Sequence, residues 1–106
     1  MSYRYMRVIV MFDLPTETSE ERRAYRKFRS NLIKSGFFMM QKSVYVKISI
    51  NAAACEGVIN KVEKFKPESG FIQILQITER QFERMKILLG TSQSDVISTD
   101  ERLVIL

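Results

Sequence analysis

The sequence predicts an α+β domain of order β-α-β-β-α-β, and three observations carry that prediction. An uninterrupted apolar run, Val8-Ile9-Val10-Met11-Phe12, stops at Asp13-Leu14-Pro15. Two stretches place apolar residues at helical spacing: Tyr25, Phe28 and Leu32, then Cys55, Val58, Ile59, Val62 and Phe65. Between them Val44, Val46, Ile48 and Ile50 alternate with Tyr45, Lys47 and Ser49, the period of a strand. This order is the split βαβ of ferredoxin-like domains, in which two helices cover one face of an antiparallel sheet.

Arg7 to Phe12 reads as a strand covered on both faces, and Pro15 takes the chain out of the sheet. Thr18 and Glu21 form a capping box that opens a helix running to about Ser35, and Gly36 ends it. Arg22, Arg26 and Arg29 lie on one flank of its apolar stripe, with Arg23, Lys27 and Lys34 on the far face. Phe37 to Met40 and Val44 to Ile50 are two strands joined around Gln41-Lys42-Ser43. Asn51 caps the second helix, which Pro67 and Gly70 terminate. Phe71 to Ile77 is the fourth strand. Its two faces are both apolar, Phe71, Leu75 and Ile77 against Ile72 and Ile74. The helix-free face of the sheet is therefore expected to meet a second subunit.

Beyond the fourth strand, Thr78 to Arg84 predicts a short helix. The apolar pieces Ile87-Leu88-Leu89 and Leu103 to Leu106 flank a polar loop from Gly90 to Arg102. These pieces need burial, and pairing with a partner chain's sheet supplies it. The expectation is a single domain over 1–106, whose C-terminal extension, 78–106, packs on the partner protomer.

Composition narrows the chemistry. In 106 residues, 17 basic against 12 acidic side chains give a net charge of +5, with a pI near 9.6. Such an excess suits a polyanionic partner. The chain holds no histidine and one cysteine, which removes imidazole acid–base chemistry and any ordinary zinc site. Cys55 falls on the apolar stripe of a helix, the place of a core thiol. No apolar run approaches the ~20 residues that span a bilayer, and no signal segment is evident. A cytoplasmic protein without membrane contact is expected.

Asp13 carries two readings from the residues alone. It starts a turn, as aspartate often does, or it presents a carboxylate at a strand end, opposite a basic helix, to a divalent cation and a phosphodiester. One carboxylate holds magnesium weakly, whereas a two-fold axis would supply two. Glu17, Glu20 and Glu21 suit a helix start, and Glu56, Glu63, Glu79 and Glu83 read as solvated helix charges. The basic residues Arg22, Arg26, Arg29, Lys42, Lys47, Arg80, Arg84 and Lys86 divide between solvated surface and a positive track for phosphates. No base-reading motif is present.

Taken together these residues resemble the small CRISPR-associated protein of the spacer-acquisition machinery, the dimeric companion of the CRISPR integrase. The resemblance runs from about Met6 to Leu106. It rests on Arg7-Val8-Ile9-Val10-Met11-Phe12-Asp13-Leu14-Pro15, the basic helix from Glu21 to Leu32, and Gly36-Phe37 with Gln41-Lys42-Ser43-Val44-Tyr45. The Phe-Asp-Leu-Pro form looks most like members from type II systems. The resemblance implies a ferredoxin-like homodimer with one strand-end aspartate from each protomer facing the other across the axis. It implies Asp13 as the catalytic metal ligand, Mg2+ as the cofactor, and cleavage of single-stranded RNA or double-stranded DNA. It also implies nucleic-acid contacts from the helix residues Arg22, Arg23 and Arg26 and from Lys42 in the hairpin, and the CRISPR integrase as partner; Arg80 and Arg84 join these candidates on their charge alone. Some members bridge integrase dimers and DNA without cutting, and a ferredoxin-like regulator or RNA-binding module shares the architecture. In many members an acidic residue follows the Ser-Val-aromatic motif; here Val46 and Lys47 follow Tyr45.

Overall fold

The computed structural model describes residues 5–90. Within them the order is β1 (Met6–Asp13), α1 (Ser19–Lys34), β2 (Phe38–Gln41), β3 (Val44–Ser49), α2 (Ala52–Phe65), β4 (Phe71–Thr78) and a short α3 (Glu79–Glu83). The four strands form an antiparallel sheet in the order β2-β3-β1-β4. This is the β-α-β-β-α-β arrangement expected. The expected segments Gly90 to Arg102 and Leu103 to Leu106 lie, apart from Gly90, outside the described residues.

Helix α1 begins where its capping residues require. Thr18 Oγ1 accepts the Glu21 N–H at 3.0 Å while the Glu21 carboxylate accepts the Thr18 N–H at 2.9 Å. At its other end Phe37 N–H donates to Leu32 O and Gly36 N–H to Ile33 O, both at 3.0 Å. Gly36 takes φ +98° there, the left-handed residue of a Schellman closure. This closure drops Phe37 into the core and starts β2 one residue later than expected. A bulge between Met39 and Gln41 then shifts the register of β2 on β3. Asn51 caps α2 through a 2.8 Å bond from Ala54 N–H.

The core lies between the sheet and the two helices. Val8, Val10, Phe12 and Leu14 alternate inward from β1 and its exit, meeting Phe28 and Leu32 of α1 and Cys55 and Val62 of α2. The Phe12 ring sits edge-on to Phe28 at 5.1 Å and stacks on Tyr45 at 5.7 Å. Cys55 is buried and unpaired, as its helical position predicts. Among the described residues no helix is long and apolar enough to cross a membrane.

Alternation along β3 gives a period but no direction. Tyr45 points inward, 1% exposed, so Val44, Val46 and Ile48 project from the helix-free face. Strand pairing aligns Phe38, Val46, Ile9 and Leu75 in one apolar row across all four strands of that face. The middle of the row, Ile9 and Val46, is buried, while Phe38 and Leu75 at its ends are 49% and 47% exposed.

Candidate nucleic-acid and metal site

Asp13 is the last residue of β1 and is exposed. Because Val8, Val10 and Phe12 turn to the helices, Asp13 falls with Arg7, Ile9 and Met11 on the helix-free face. Its cross-strand partner is Phe71, the first residue of β4 and itself 61% exposed. The loop before β4 packs closely on this exit. Gly70 has φ +116°, and a Cβ there would meet the Leu14 side chain and come within 3.2 Å of the Asp13 carbonyl. A β1–β4 ladder and a glycine that lets the loop approach thus hold the carboxylate at the end of the sheet.

Two of the basic candidates share that end. Lys42 and Ser43 form the turn between β2 and β3, with Ser43 at φ 68°. Phe12 N–H donates to Ser43 O at 3.0 Å, so the exposed Lys42 stands beside the strand end that carries Asp13. Arg22 folds back on the connection leaving β1, its Nη1 donating to Thr16 O at 3.1 Å and to Glu17 O at 2.9 Å. Arg23 and Arg26 are exposed further along α1. Lys27 instead lines a cleft of ≈ 660 Å³ between α1 and the end of α2, which places Arg22, Arg26 and Arg29 on the flank of α1 turned away from α2. Asp13 does not line that cleft, so the cleft is separate from the strand-end site.

Arg80 and Arg84 belong elsewhere. Antiparallel pairing sets Thr78 against Met6, so α3 sits at the opposite end of β1, about 23 Å from Asp13 at the usual strand rise. The candidates therefore form two groups on each protomer rather than one continuous track. Lys47 also differs from its reading as a strand-end cation. It is half-buried on the helix side, its ammonium occupying the space next to Gly36, where the C-terminal end of α1 favours positive charge.

The acidic residues sort as sharply. Among the described residues no group of three or more His, Cys, Asp or Glu side chains could hold a metal ion. Glu21 is occupied by the α1 cap. Bonds from the Thr18 and Glu17 backbone N–H groups hold its carboxyl below the ordinary value of 4.5. Glu79 is not the solvated charge its helix position suggested. It forms a part-buried pair with Arg7, Nε to Oε1 at 2.5 Å and Nη2 to Oε2 at 3.0 Å. Sequence reasoning missed this pair; its one signal is Arg7 itself, a cation opening an otherwise apolar strand.

The strand-end aspartate, the capped basic helix and the Lys42 turn lie within a match to the CRISPR associated protein Cas2 family that spans residues 6–85. The chain belongs to that family. It is 48% identical over 101 residues to the CRISPR-associated endoribonuclease Cas2 of Treponema denticola, covering 95% of this chain and 100% of that one. To the protein of the same name from Streptococcus mutans serotype c (strain UA159) it is 46% identical over 101 residues, covering 95% and 93%. A solved Cas2 crystal structure superposes with a TM-score of 0.57 at 19% identity, over 85% of this chain and 92% of that one. At that identity the superposition speaks for the fold, and it agrees with the four-stranded architecture above.

Proposed function

We propose that this Cas2 family chain works as a homodimeric subunit of CRISPR spacer acquisition, binding DNA, bridging integrase dimers and carrying a magnesium-dependent endonuclease site at Asp13. The observation that carries the reading is the position of Asp13: exposed at the end of the central strand pair, on the same face as the apolar row and beside Lys42. A two-fold contact through that row would use the same patch on both copies and gather two such sheet ends into one assembly. The exposed apolar segment after α3 supports the same arrangement, because Ile87, Leu88 and Leu89 are 53%, 91% and 94% exposed in a single protomer.

The donor set fits a hard cation. Magnesium is commonly held by one or two carboxylates, with water and substrate phosphate completing its shell, and two Asp13 side chains would provide the protein's share. When bound, the ion supplies Lewis-acid stabilisation of charge on the phosphate and lowers the pKa of water. The chain's own part is to place the carboxylates, through the β1–β4 ladder, and to bind the backbone of the nucleic acid. Lys42 and Arg22 lie near the cleavage end, and Arg23 and Arg26 extend that surface along α1. Arg80 and Arg84 would hold a more distant stretch of a duplex. The chain has no imidazole to carry a proton in this reaction.

A non-cutting bridge is the second reading, favoured by the lack of any carboxylate cluster among the described residues. One paired assay separates the two: wild type and Asp13→Ala, each measured for cleavage of single-stranded RNA and double-stranded DNA with magnesium, and for integrase-dependent DNA insertion. The proposal expects Asp13→Ala to lose cleavage and keep both the dimer and insertion. Cleavage at the wild-type rate by that variant would remove Asp13 from the chemistry. Absence of cleavage by the wild type, with insertion intact, would establish the bridge alone.

A further inference from the structure

Phe71 is the most exposed aromatic residue among those described, 61% open to solvent. The core takes the rings of Phe12, Phe28, Phe37 and Tyr45, and Tyr25 and Phe65 pack against it. Phe71 belongs to neither set. Among the described residues it makes no ring contact of the kind that joins Phe12 to Phe28 and Tyr45. A single exposed apolar side chain is ordinary on a protein surface. What sets this one apart is its neighbour.

Phe71 stands directly across from Asp13 in the β1–β4 ladder. Paired residues share a face of the sheet, so the ring and the carboxylate project together from the helix-free side. Side chains opposed in this way have their Cβ atoms ~4.5–5.5 Å apart. On the other side of Asp13 is Lys42, brought there by the bond from Phe12 N–H to Ser43 O. A cation, a carboxylate and an open ring thus follow one another across the end of the sheet, from β3 to β1 to β4. The ring is also cut off from the apolar row. The rung between them pairs Met11 with Gln73, polar and exposed, and Leu75 lies about 13 Å further along β4 at the usual strand rise.

We infer that Phe71 is a base-stacking residue, whose open ring takes the base of an unpaired nucleotide while the adjoining phosphate faces Asp13 and Lys42. Every base has a π-face, so an exposed aromatic serves as a platform for any of them, and one nucleotide reaches across the single rung from ring to carboxylate. Lys42 attracts a phosphate from any direction. The ring adds a second point of attachment, and two points fix which phosphate lies over Asp13. A base inside a duplex has both faces covered by its neighbours, so the ring acts only on a nucleotide that is unpaired at this position. This role rests on the nucleic-acid site proposed above at Asp13, and it holds whether or not that site cuts.

The test compares wild type with Phe71→Ala, Phe71→Leu and Phe71→Trp. Binding of a fluorescent single-stranded oligonucleotide, and of the blunt duplex of the same sequence, is read by anisotropy without divalent cation, so that no magnesium-dependent cleavage intervenes. Sedimentation follows the oligomeric state and far-UV circular dichroism the fold. Loss of one stacked base should weaken single-strand binding by Phe71→Ala about 5- to 100-fold. Phe71→Leu keeps apolar bulk without an aromatic face and should fall with it, whereas Phe71→Trp should bind at least as tightly as wild type. Duplex binding and oligomeric state should be the same in all four proteins. With magnesium, the variants without a ring should raise KM and leave kcat, because the stack is made alike before and during the chemical step. Wild-type single-strand binding by Phe71→Leu would overturn the stacking role. So would an equal loss on the duplex, a loss that follows a weakened dimer, or a wild type that binds no single strand. A wild type that cuts nothing with magnesium, while Phe71→Ala and Phe71→Leu lose single-strand binding alone, would defeat the nuclease reading and uphold the stack. Should Phe71→Ala fail to fold, Phe71→Leu against Phe71→Trp decides between these results.

Discussion

Leu75 offers the sharpest quantitative test of the pairing face. It stands at the end of the apolar row, beside Ile9 and outside the core, and is 47% exposed in the single protomer. Fully burying a leucine side chain is worth about 1.5–3 kcal/mol. The half still exposed therefore has about 0.7–1.4 kcal/mol to give when a second copy covers it. Two-fold symmetry counts the residue twice, so Leu75→Ala forfeits about 1.4–2.8 kcal/mol per dimer. That corresponds to a dissociation constant raised roughly 10- to 100-fold. Sedimentation equilibrium over a range of loading concentrations measures it, and the protomer fold should survive because Leu75 takes no part in the core. A dissociation constant within about twofold of wild type would refute the face contact.

Other outcomes can be checked alongside. Phe28, 1% exposed and wedged between Phe12 and Phe65, should cost about 3–5 kcal/mol when cut to alanine. That cost is read as a lowered urea midpoint at fixed protein concentration, and a loss below about 1 kcal/mol would contradict the packing described. Glu21 has its carboxyl lowered from 4.5 by the backbone donors of the α1 cap, so the charged form is favoured in the folded state. Its contribution is present above 4.5 and is lost as pH falls through the lowered folded value. The melting temperatures of wild type and Glu21→Gln should therefore differ near neutrality and converge in acid, and a constant gap would show that the carboxylate charge does not act in the cap.

Much of the fold was legible because its signals are local. The Thr18–Glu21 box, the Asn51 cap and the Gly36 stop are each written within a few residues, and each stands where the sequence puts it. The directions of the strands' faces were less legible. Val44, Val46 and Ile48 look like core residues, yet the aromatic Tyr45 goes inward, because the space above the sheet is shaped by Phe12 and takes a ring. For the site, Asp13 and Lys42 could be picked out because both sit beside turn residues. Their nearness to each other needs the β1–β3 pairing and the Phe12–Ser43 bond. The Arg7–Glu79 pair, separated by 72 positions, leaves no local trace beyond a cation in an apolar strand. The separation of Arg80 and Arg84 from Asp13 follows from β4 running antiparallel to β1, which composition and spacing do not reveal.

The placement of β1 between β3 and β4 has a consequence for how the protein comes into being. Strand β1 leaves the ribosome early, but its second neighbour is β4, the last strand among the described residues, ending at Thr78. Until translation has passed that point, Asp13 lacks the Phe71 rung and the Gly70 loop that fix it. A half-made chain thus carries the aspartate without its setting, and β4 must be made before the catalytic candidate is assembled.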